Sequence, residues 1–137
     1  MEQPCLLIED LPGIKNIKQY DCLIVDEAQF LTKQQVLMLE SLVDSMKVPV
    51  ICFGLRTDYK GGLFSGSKAL FELADSIEEI KTICWCGRKA IMNARFDTNG
   101  KVIKEGEQVI LGADDQYIGL CRKHWRYGKI KDDGMER

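Results

Sequence analysis

Residues 21–30 read DCLIVDEAQF, and this stretch decides the predicted fold. Its apolar run from Cys22 to Val25 is continuous rather than alternating, which is typical of a strand buried on both faces of a parallel sheet. Two acids, Asp26 and Glu27, end the run. They are expected at the carboxyl edge of the sheet, where α/β folds bind their ligands.

The residues after this strand alternate between helix and strand patterns. Thr32 and Gln35 form a capping-box pattern before apolar residues at helical spacing, which predicts a helix. A second buried strand is predicted at 48–53, a helix at 67–75 and a third strand at 77–83. This order predicts an α/β fold with a parallel sheet covered by helices.

Signals elsewhere are local and weaker. Asn99-Gly100 favours the left-handed turn of a hairpin at 95–101. No clear helix is predicted at 84–125. Three short elements complete the prediction: a strand at 3–9, one or two helical turns at 14–20, and a strand at 108–111.

The composition is that of an ordinary globular protein. The 137 residues are 45% hydrophobic and 29% charged, with a net charge of −2, and this length fits one domain, or one domain with a small appendage. The absence of a basic excess argues against a nucleic-acid partner. No apolar run approaches the roughly 20 residues of a membrane span, and the first ten residues do not resemble a signal peptide. We therefore expect no membrane partner and a cytoplasmic location.

Six cysteines need an explanation in a cytoplasmic protein, where disulfides are rare. Cys5, Cys22 and Cys52 lie in apolar runs and are predicted to be buried thiols. The other three lie in polar, turn-rich segments, which favours metal ligation.

Cys84-x-Cys86 and Cys121-x-x-His124 each bring two ligands within reach of one ion. The pairs bracket 34 residues, 87–120, and the second pair contains the only histidine of the chain. Structural zinc takes four nitrogen or sulfur ligands in a closed tetrahedron, which leaves no position for a reacting water. The pattern predicts one structural Zn²⁺. The alternative is scattered reduced thiols and a surface histidine.

The acidic pair after the first strand is by itself a weak signal. In phosphate-transferring α/β folds, Asp26 at such a strand end would hold Mg²⁺, and the adjacent Glu27 would accept a proton from the attacking group. The alternative is a helix-capping or solvated turn.

Four segments carry a resemblance to a known family. They are DEAQFL at 26–31, FGLRTDY at 53–59, KTICWCGRKA at 81–90 and CRKH at 121–124. In order and spacing they resemble the thymidine kinase family of the cytosolic and bacterial type, over about residues 21–127. The Cys-x-Cys and Cys-x-x-His pairs are similar to those of its proteobacterial branch.

The resemblance implies transfer of the γ-phosphate of ATP to the 5′-hydroxyl of thymidine or deoxyuridine. It implies a partial α/β domain with a parallel sheet of the P-loop kinase type at 1–83. A small zinc-ribbon domain at 84–127 would carry a lasso loop that closes over the nucleoside, and 128–137 would be a flexible tail. The family further implies a homotetramer, inhibition by dTTP, and Mg²⁺ and ATP for the full enzyme.

The functional residues of the family carry over position by position. Glu27 is expected as the general base at the 5′-hydroxyl and Asp26 as the Mg²⁺ carboxylate. Arg56 is a candidate phosphate contact, with a solvated arginine as the alternative. The expected nucleoside-binding positions are Gln29, Phe30, Leu55, Tyr59, Phe64, Asn93, Gln108, Ile110, Gly112 and Tyr117.

Aromatic and aliphatic side chains suit the flat, apolar faces of thymine. The alternative for Tyr59 and Phe64 is packing in the core of the protein.

One family motif is missing from these 137 residues. The loop Gly-x-x-x-x-Gly-Lys-Ser/Thr, whose backbone N–H groups cradle phosphates, is not found, and 62–68 has the wrong spacing. We expect that a large opening part of the catalytic domain is not present and that this chain alone does not turn over ATP and thymidine. We also expect exposed apolar faces that favour aggregation or pairing with a complementary fragment.

Two alternatives to a kinase stay open at this point. One is a non-catalytic nucleoside- or dTTP-binding module, or a regulatory subunit with the same lasso. Thymidine binding without phosphorylation separates it from a kinase. The other is a zinc-ribbon interaction protein on an ATPase-like sheet, which predicts no thymidine binding.

Overall fold

The computed structural model describes residues 5–109 and 116–134. The chain divides into two compact units, Met1–Leu55 with Ser65–Ala74, and Arg56–Phe64 with Asp75–Arg137. The segment Arg56–Phe64 is therefore grouped with the later part of the chain. The division at residue 83 and the tail from residue 128 stay predictions.

The mixed α/β character predicted from the sequence is confirmed. None of the described helices is long and apolar enough to cross a membrane. The elements are β1 (Leu23–Val25), α1 (Lys33–Met46), β2 (Val50–Cys52), α2 (Ser65–Leu73), β3 (Thr82–Ile83), β4 (Lys89–Ala90), β5 (Met92–Phe96), β6 (Val102–Ile103), β7 (Gln116–Leu120) and α3 (Arg122–Tyr127), with short 3-10 helices at Ile8–Gly13, Ile17–Gln19 and Ala28–Phe30.

The first unit contains the predicted parallel strand pair. β1 and β2 pair in parallel from Leu23 opposite Val50 to Val25 opposite Cys52. The prediction that β1 is buried on both faces is wrong within the described residues, because Ile24 is 70% exposed. Only the face toward the helices packs. A larger parallel sheet of the P-loop kinase type and a zinc ribbon stay predictions.

The core of the first unit lies between this strand pair and the two helices. Its buried members come from α1, α2, the 3-10 helix after β1 and the residue that follows that 3-10 helix. Gly66 allows the close approach of α2, because a Cβ there would lie 2.6–2.7 Å from the backbone oxygens of Ala28, Gln29 and Leu31. The buried residues are Ala28, Leu31, Val36, Leu39 and Ala69.

The predicted capping box begins α1. The Thr32 hydroxyl accepts from the Gln35 backbone N–H at 3.1 Å, and the Gln35 amide oxygen accepts from the Thr32 N–H at 2.9 Å. Two of the N–H groups that the first turn leaves without helical partners are thereby satisfied. Lys47 ends the helix in the left-handed conformation, with φ 60°.

The second unit is built on antiparallel strands. β5 is central, between β6 and β7. The predicted hairpin is confirmed, with Phe96 opposite Val102, Gly100 at φ 78°, and the Asp97 carboxylate accepting from the N–H groups of Asn99 and Lys101. One buried apolar cluster of this unit consists of Cys84, Ala94, Leu120 and Cys121.

Several predicted elements are wrong. Of the third parallel strand at 77–83, only Thr82–Ile83 is a strand, and it pairs antiparallel with β4, because the turn at 84–87 supplies a local partner. Residues 84–125 were expected to lack a helix, but α3 begins at Arg122. The strand expected at 108–111 is not formed at 108–109, and its other two residues lie outside the described part.

The first segment and one thiol also differ from expectation. Residues 5–7 form no strand, and the 3-10 helix Ile8–Gly13 follows them. Cys5 is exposed, so its prediction as a buried thiol is wrong, whereas Cys22 and Cys52 are half-buried. Burial raises the pKa of the Cys52 thiol.

We predict that Thr32→Ala lowers the free energy of unfolding by about 1 kcal/mol, because it removes the side-chain acceptor at the start of α1. Ser41→Ala, at an exposed position within the same helix, is the control and should cause no loss, since alanine has the higher helix propensity. Urea titration followed by circular dichroism measures both. Equal stability of Thr32→Ala and wild type would contradict the capping role.

Candidate functional site

Four side chains of the second unit converge on one point. The ligand atoms of Cys84, Cys86, Cys121 and His124 all lie within 4.8 Å of one another. The Nδ1 atom of His124 is 3.5 Å from the Cys84 sulfur and 3.4 Å from the Cys121 sulfur, and the Cys86 and Cys121 sulfurs are 3.9 Å apart. The structure thus brings together the ligand set predicted from the sequence.

These separations fit the tetrahedral coordination of one zinc ion by four ligand atoms. Zinc–sulfur bonds of about 2.3 Å and zinc–nitrogen bonds of about 2.0 Å place two sulfurs about 3.8 Å apart, and a sulfur and a nitrogen about 3.5 Å apart. The donor set of three thiols and one imidazole is also one that zinc prefers. The cluster can therefore hold zinc through four protein ligands.

A tight turn between β3 and β4 positions the first ligand pair. The Cys84 N–H donates to the Arg88 carbonyl at 2.8 Å, and the Gly87 N–H donates to the Cys84 carbonyl at 2.9 Å. Gly87 has φ 87°, a conformation that glycine adopts without strain. The turn places the Cys84 and Cys86 sulfurs on the same side.

The start of α3 positions the second pair. Cys121 precedes the first helical residue, and His124 lies three residues later, so both side chains meet over the first turn. The His124 side chain is 2% exposed, and the Trp85 ring stacks on its imidazole at a centroid distance of 4.1 Å. The Trp85 indole N–H donates to the Lys129 carbonyl at 3.0 Å, which holds that ring in place.

The electrostatics of the cluster favour a thiolate at Cys84. Burial raises the pKa of this thiol, but the N–H groups of Cys86 and Cys121, with the His124 and Cys86 side chains, outweigh it and lower the pKa to about 6. For Cys86, the Arg88 N–H lowers the pKa, whereas burial and the neighbouring thiols raise it overall. Metals bind thiolates, so metal binding here releases protons.

The acidic pair lies in the first unit, directly after β1. Glu27 is exposed and has the left-handed backbone conformation, φ 51° and ψ 39°, which is strained for a residue with a side chain. The Asp26 carboxylate accepts from the Glu27 N–H at 2.8 Å and so supports this turn. The alternative was a helix-capping or solvated turn. The Glu27 side chain makes no cap hydrogen bond to the 3-10 helix that follows, whereas the exposure of both acids fits a solvated turn.

Gln29 holds this acid in place. Its side chain is 2% exposed, and its amide nitrogen donates to the Glu27 carboxylate. Its amide oxygen accepts from the Leu55 N–H at 3.1 Å, so one buried amide connects the acid to the segment after β2. The Ser67 hydroxyl donates to the Leu55 carbonyl at 2.5 Å and holds the same residue from the other side.

The other nucleoside positions differ in exposure. Phe30 and Leu55 of the first unit are exposed, whereas Tyr59 and Phe64 of the second unit are buried. The Tyr59 hydroxyl donates to the Glu107 carbonyl at 2.5 Å. Its burial and this bond fit the alternative that Tyr59 packs in the core of the protein. The assignment of all four side chains to a thymine site stays a prediction.

The remaining predicted positions lie in the second unit. Arg56 donates to the Ile91 carbonyl at 3.1 Å, so its phosphate role stays a prediction. Asn93 is half-buried on β5, opposite Gly119 of β7.

The other predicted nucleoside positions of this unit come later in the chain. Tyr117 is exposed on β7. Gln108 donates to Asp58 at 2.8 Å. Ile110 and Gly112 lie outside the described residues.

Sequence reasoning did not single out two residues that support these sites: Trp85, which stacks on a metal ligand, and Asp58, which is buried in the loop before α2. The assignment of Gln29 to the nucleoside site stays a prediction, and its hydrogen bond to Glu27 was not foreseen. The tryptophan between Cys84 and Cys86 was the one local signal, since an aromatic residue beside two ligands is positioned to shield them.

We predict that the wild-type chain binds one zinc ion and that Cys121→Ser lowers zinc affinity by more than the roughly 10- to 100-fold caused by losing an outer-shell partner. Residues 87–120 should then become more sensitive to protease, because one root of the segment is released. Cys5→Ser, an exposed thiol of the first unit, is the matched control. Metal analysis and limited proteolysis measure the outcome. Unchanged zinc content and protease resistance in Cys121→Ser would contradict the ligand assignment.

Comparison with known proteins identifies a family. The family model for thymidine kinase matches residues 3–125. The chain is 48% identical over 120 residues to the thymidine kinase of Vibrio vulnificus (strain CMCP6), an alignment that covers 88% of this chain and 62% of that protein.

Other relatives carry the same name. The thymidine kinase of Legionella pneumophila (strain Philadelphia 1) is 51% identical over 114 residues, covering 83% of this chain and 54% of the relative. That of Haemophilus influenzae (strain Rd KW20) is 54% identical over 105 residues, covering 77% and 54%. The chain thus spans somewhat more than half the length of these relatives. It belongs to the thymidine kinase family.

Proposed function

We propose that this chain serves in phosphoryl transfer from ATP to the 5′-hydroxyl of thymidine or deoxyuridine, as the nucleoside-recognising and zinc-bearing part of a thymidine kinase. The proposal is supported by the family match and by the ligand cluster at the expected cysteines and histidine. One observation carries it: Glu27, directly after β1, has a strained backbone, and its carboxylate accepts a hydrogen bond from buried Gln29.

Glu27 has the properties of a general base. Its carboxylate is exposed at the carboxyl end of a parallel strand, where α/β folds bind ligands. Its backbone is strained, and buried Gln29 restricts its side chain, so its position is prepared before a ligand arrives. A 5′-hydroxyl beside this carboxylate would donate a hydrogen bond to it and lose its proton to it as the oxygen bonds to the γ-phosphorus of ATP. The bond between the γ-phosphorus and the bridging oxygen breaks in the same transfer, and ADP leaves.

Asp26 is the proposed Mg²⁺ ligand. Carboxylate oxygen is a preferred donor for this hard cation, and Asp26 lies one residue from the base. When bound, Mg²⁺ supplies charge neutralisation to the transferred phosphoryl group of ATP. The Asp26 carboxylate also accepts from the Glu27 N–H, so the residue that would hold the ion also supports the turn that carries the base.

The metal cluster has a structural part in the proposal. Its four protein ligands leave no position for water, so zinc here is not the catalytic ion. It ties together the two ends of 87–120, the proposed lasso. In the first unit, exposed Phe30 and Leu55 offer apolar surface for a thymine ring.

The assembly and location follow from the same family argument. We propose a homotetramer, inhibition by dTTP and a cytoplasmic location, in which reduced thiols and zinc coexist. The non-catalytic module is not favoured, because the relatives described above are all named as kinases.

We predict that the zinc-loaded chain binds thymidine, with a Kd between about 1 µM and 1 mM as is usual for enzyme substrates. Isothermal titration calorimetry measures binding without needing turnover, which matters because the 137 residues lack the phosphate-loop motif. Deoxycytidine is the matched control ligand and should bind more weakly, since the exchanged amino group changes the polar edge of the base. Failure of the zinc-loaded chain to bind thymidine would overturn the proposal.

We further predict that Glu27→Ala weakens thymidine binding about tenfold or more, because a hydrogen bond to a charged acceptor contributes about 1.5–3 kcal/mol. The same variant should bind 5′-deoxythymidine as wild type does, since that ligand lacks the 5′-hydroxyl. Glu78→Ala, an exposed acid of the second unit, is the control. An equal loss for both nucleosides would place Glu27 away from the 5′-hydroxyl.

A further inference from the structure

Two short segments of the second unit are joined by a cluster of hydrogen bonds centred on Asp58. The Asp58 side chain is buried, with the residue 4% exposed. One carboxylate oxygen accepts from the backbone N–H groups of Lys60 at 2.9 Å and Gly62 at 3.0 Å. The other accepts from the Gln108 amide nitrogen at 2.8 Å.

The two residues after Asp58, Tyr59 and Lys60, also form hydrogen bonds with the segment that contains Gln108. The Tyr59 hydroxyl donates to the Glu107 carbonyl at 2.5 Å and lies 3.3 Å from the Glu105 carbonyl. The Lys60 ammonium donates to the Gly106 carbonyl at 2.9 Å. Three consecutive residues therefore hold four consecutive residues, Glu105 to Gln108, although 46 to 50 positions separate the bonded partners.

The loop that carries Asp58 is itself firmly placed. The Asp58 N–H donates to the Gly62 carbonyl at 2.8 Å, and Thr57 and Leu63 form a β-bridge. The Trp125 indole N–H donates to the Tyr59 carbonyl at 3.2 Å, and Trp125 adjoins the metal ligand His124. The loop is thus supported by the metal-bearing part of the unit, whereas Glu105 to Gln108 lie on its surface.

The chemistry of the pair requires an amide opposite the carboxylate. An ionised carboxylate only accepts hydrogen bonds, and a buried one is costly unless donors surround it. The Gln108 amide supplies such a donor. A glutamate at position 108 would place a second acceptor there and repel Asp58.

We propose that Asp58 and Gln108 form a latch that positions the segment 105–109 for nucleoside binding, with Asp58 as a positioning residue. This rests on the proposed function, which assigns Gln108 to the lasso. Asp58 engages one N–H of the Gln108 amide, which leaves the Gln108 backbone as the group that the family resemblance assigns to the edge of the base. Loss of the latch should therefore weaken nucleoside binding without altering the metal cluster.

A donor–acceptor exchange tests the latch. Gln108→Glu sets two carboxylates against each other and should break it. Asp58→Asn combined with Gln108→Glu restores it, because the asparagine oxygen still accepts from the loop while its amide nitrogen donates to the new glutamate. Asp58→Asn alone should stay near wild type, since the Gln108 amide can turn over. Gln34→Glu on the exposed surface of α1 is the matched control.

Two measurements on the zinc-loaded full chain report the result. Gln108→Glu should speed hydrogen–deuterium exchange of the 105–109 amides and raise the thymidine Kd, each by roughly 3- to 10-fold, the range expected for one hydrogen bond. Both values should return toward wild type in the double variant. Zinc content should be unchanged throughout.

The two measurements separate the latch from the proposed function. Wild-type exchange rates in Gln108→Glu, or no recovery in the double variant, would overturn the latch whatever thymidine does. Faster exchange with an unchanged thymidine Kd would overturn its role in nucleoside binding. A wild-type chain that does not bind thymidine would overturn the proposed function and the nucleoside role together, while the exchange data alone would still decide whether the latch exists.

Discussion

The convergence of three sulfurs and one imidazole nitrogen within 4.8 Å constrains the second unit more than any other contact. Two of its members, Cys84 and Cys121, are also half of the four buried core residues around which the partly buried tryptophans pack. So small an apolar cluster stabilises its surroundings weakly by itself. A metal that binds only the folded arrangement adds its binding free energy to folding. Zinc bound at this point would therefore stabilise the unit and hold together the two roots of 87–120.

That dependence extends from the metal ligands to the proposed nucleoside segment through a chain of contacts. Trp125 follows His124 and holds the Tyr59 carbonyl, and Asp58 and Tyr59 hold 105–108. Each of these hydrogen bonds includes a buried or half-buried group, from Trp125, Asp58 or Tyr59, and that group is costly to leave without a partner. A structural ion can in this way influence a binding segment that it does not touch.

In the first unit, one buried side-chain amide forms hydrogen bonds with two separate segments. Gln29 donates to the Glu27 carboxylate and accepts from the Leu55 N–H. A strained acid is thereby held by a buried residue, which fits the role of general base that we propose for Glu27. Gly66 makes this compact, because α2 begins directly against the backbone of the same turn.

Much of this was determined by sequence alone: the metal ligands, the capping box at Thr32, the Asn99-Gly100 hairpin and the acids after β1. Each depends on residue type at short spacing, where local geometry leaves few alternatives. The tertiary structure decided the rest. Residues 77–81 carry strand-like apolar residues but form no strand, since pairing depends on a neighbour and not on propensity. The brief α3 has too few residues for a periodic signal. The Asp58–Gln108 contact joins side chains 50 positions apart, and no local pattern encodes which distant donor a buried carboxylate will meet.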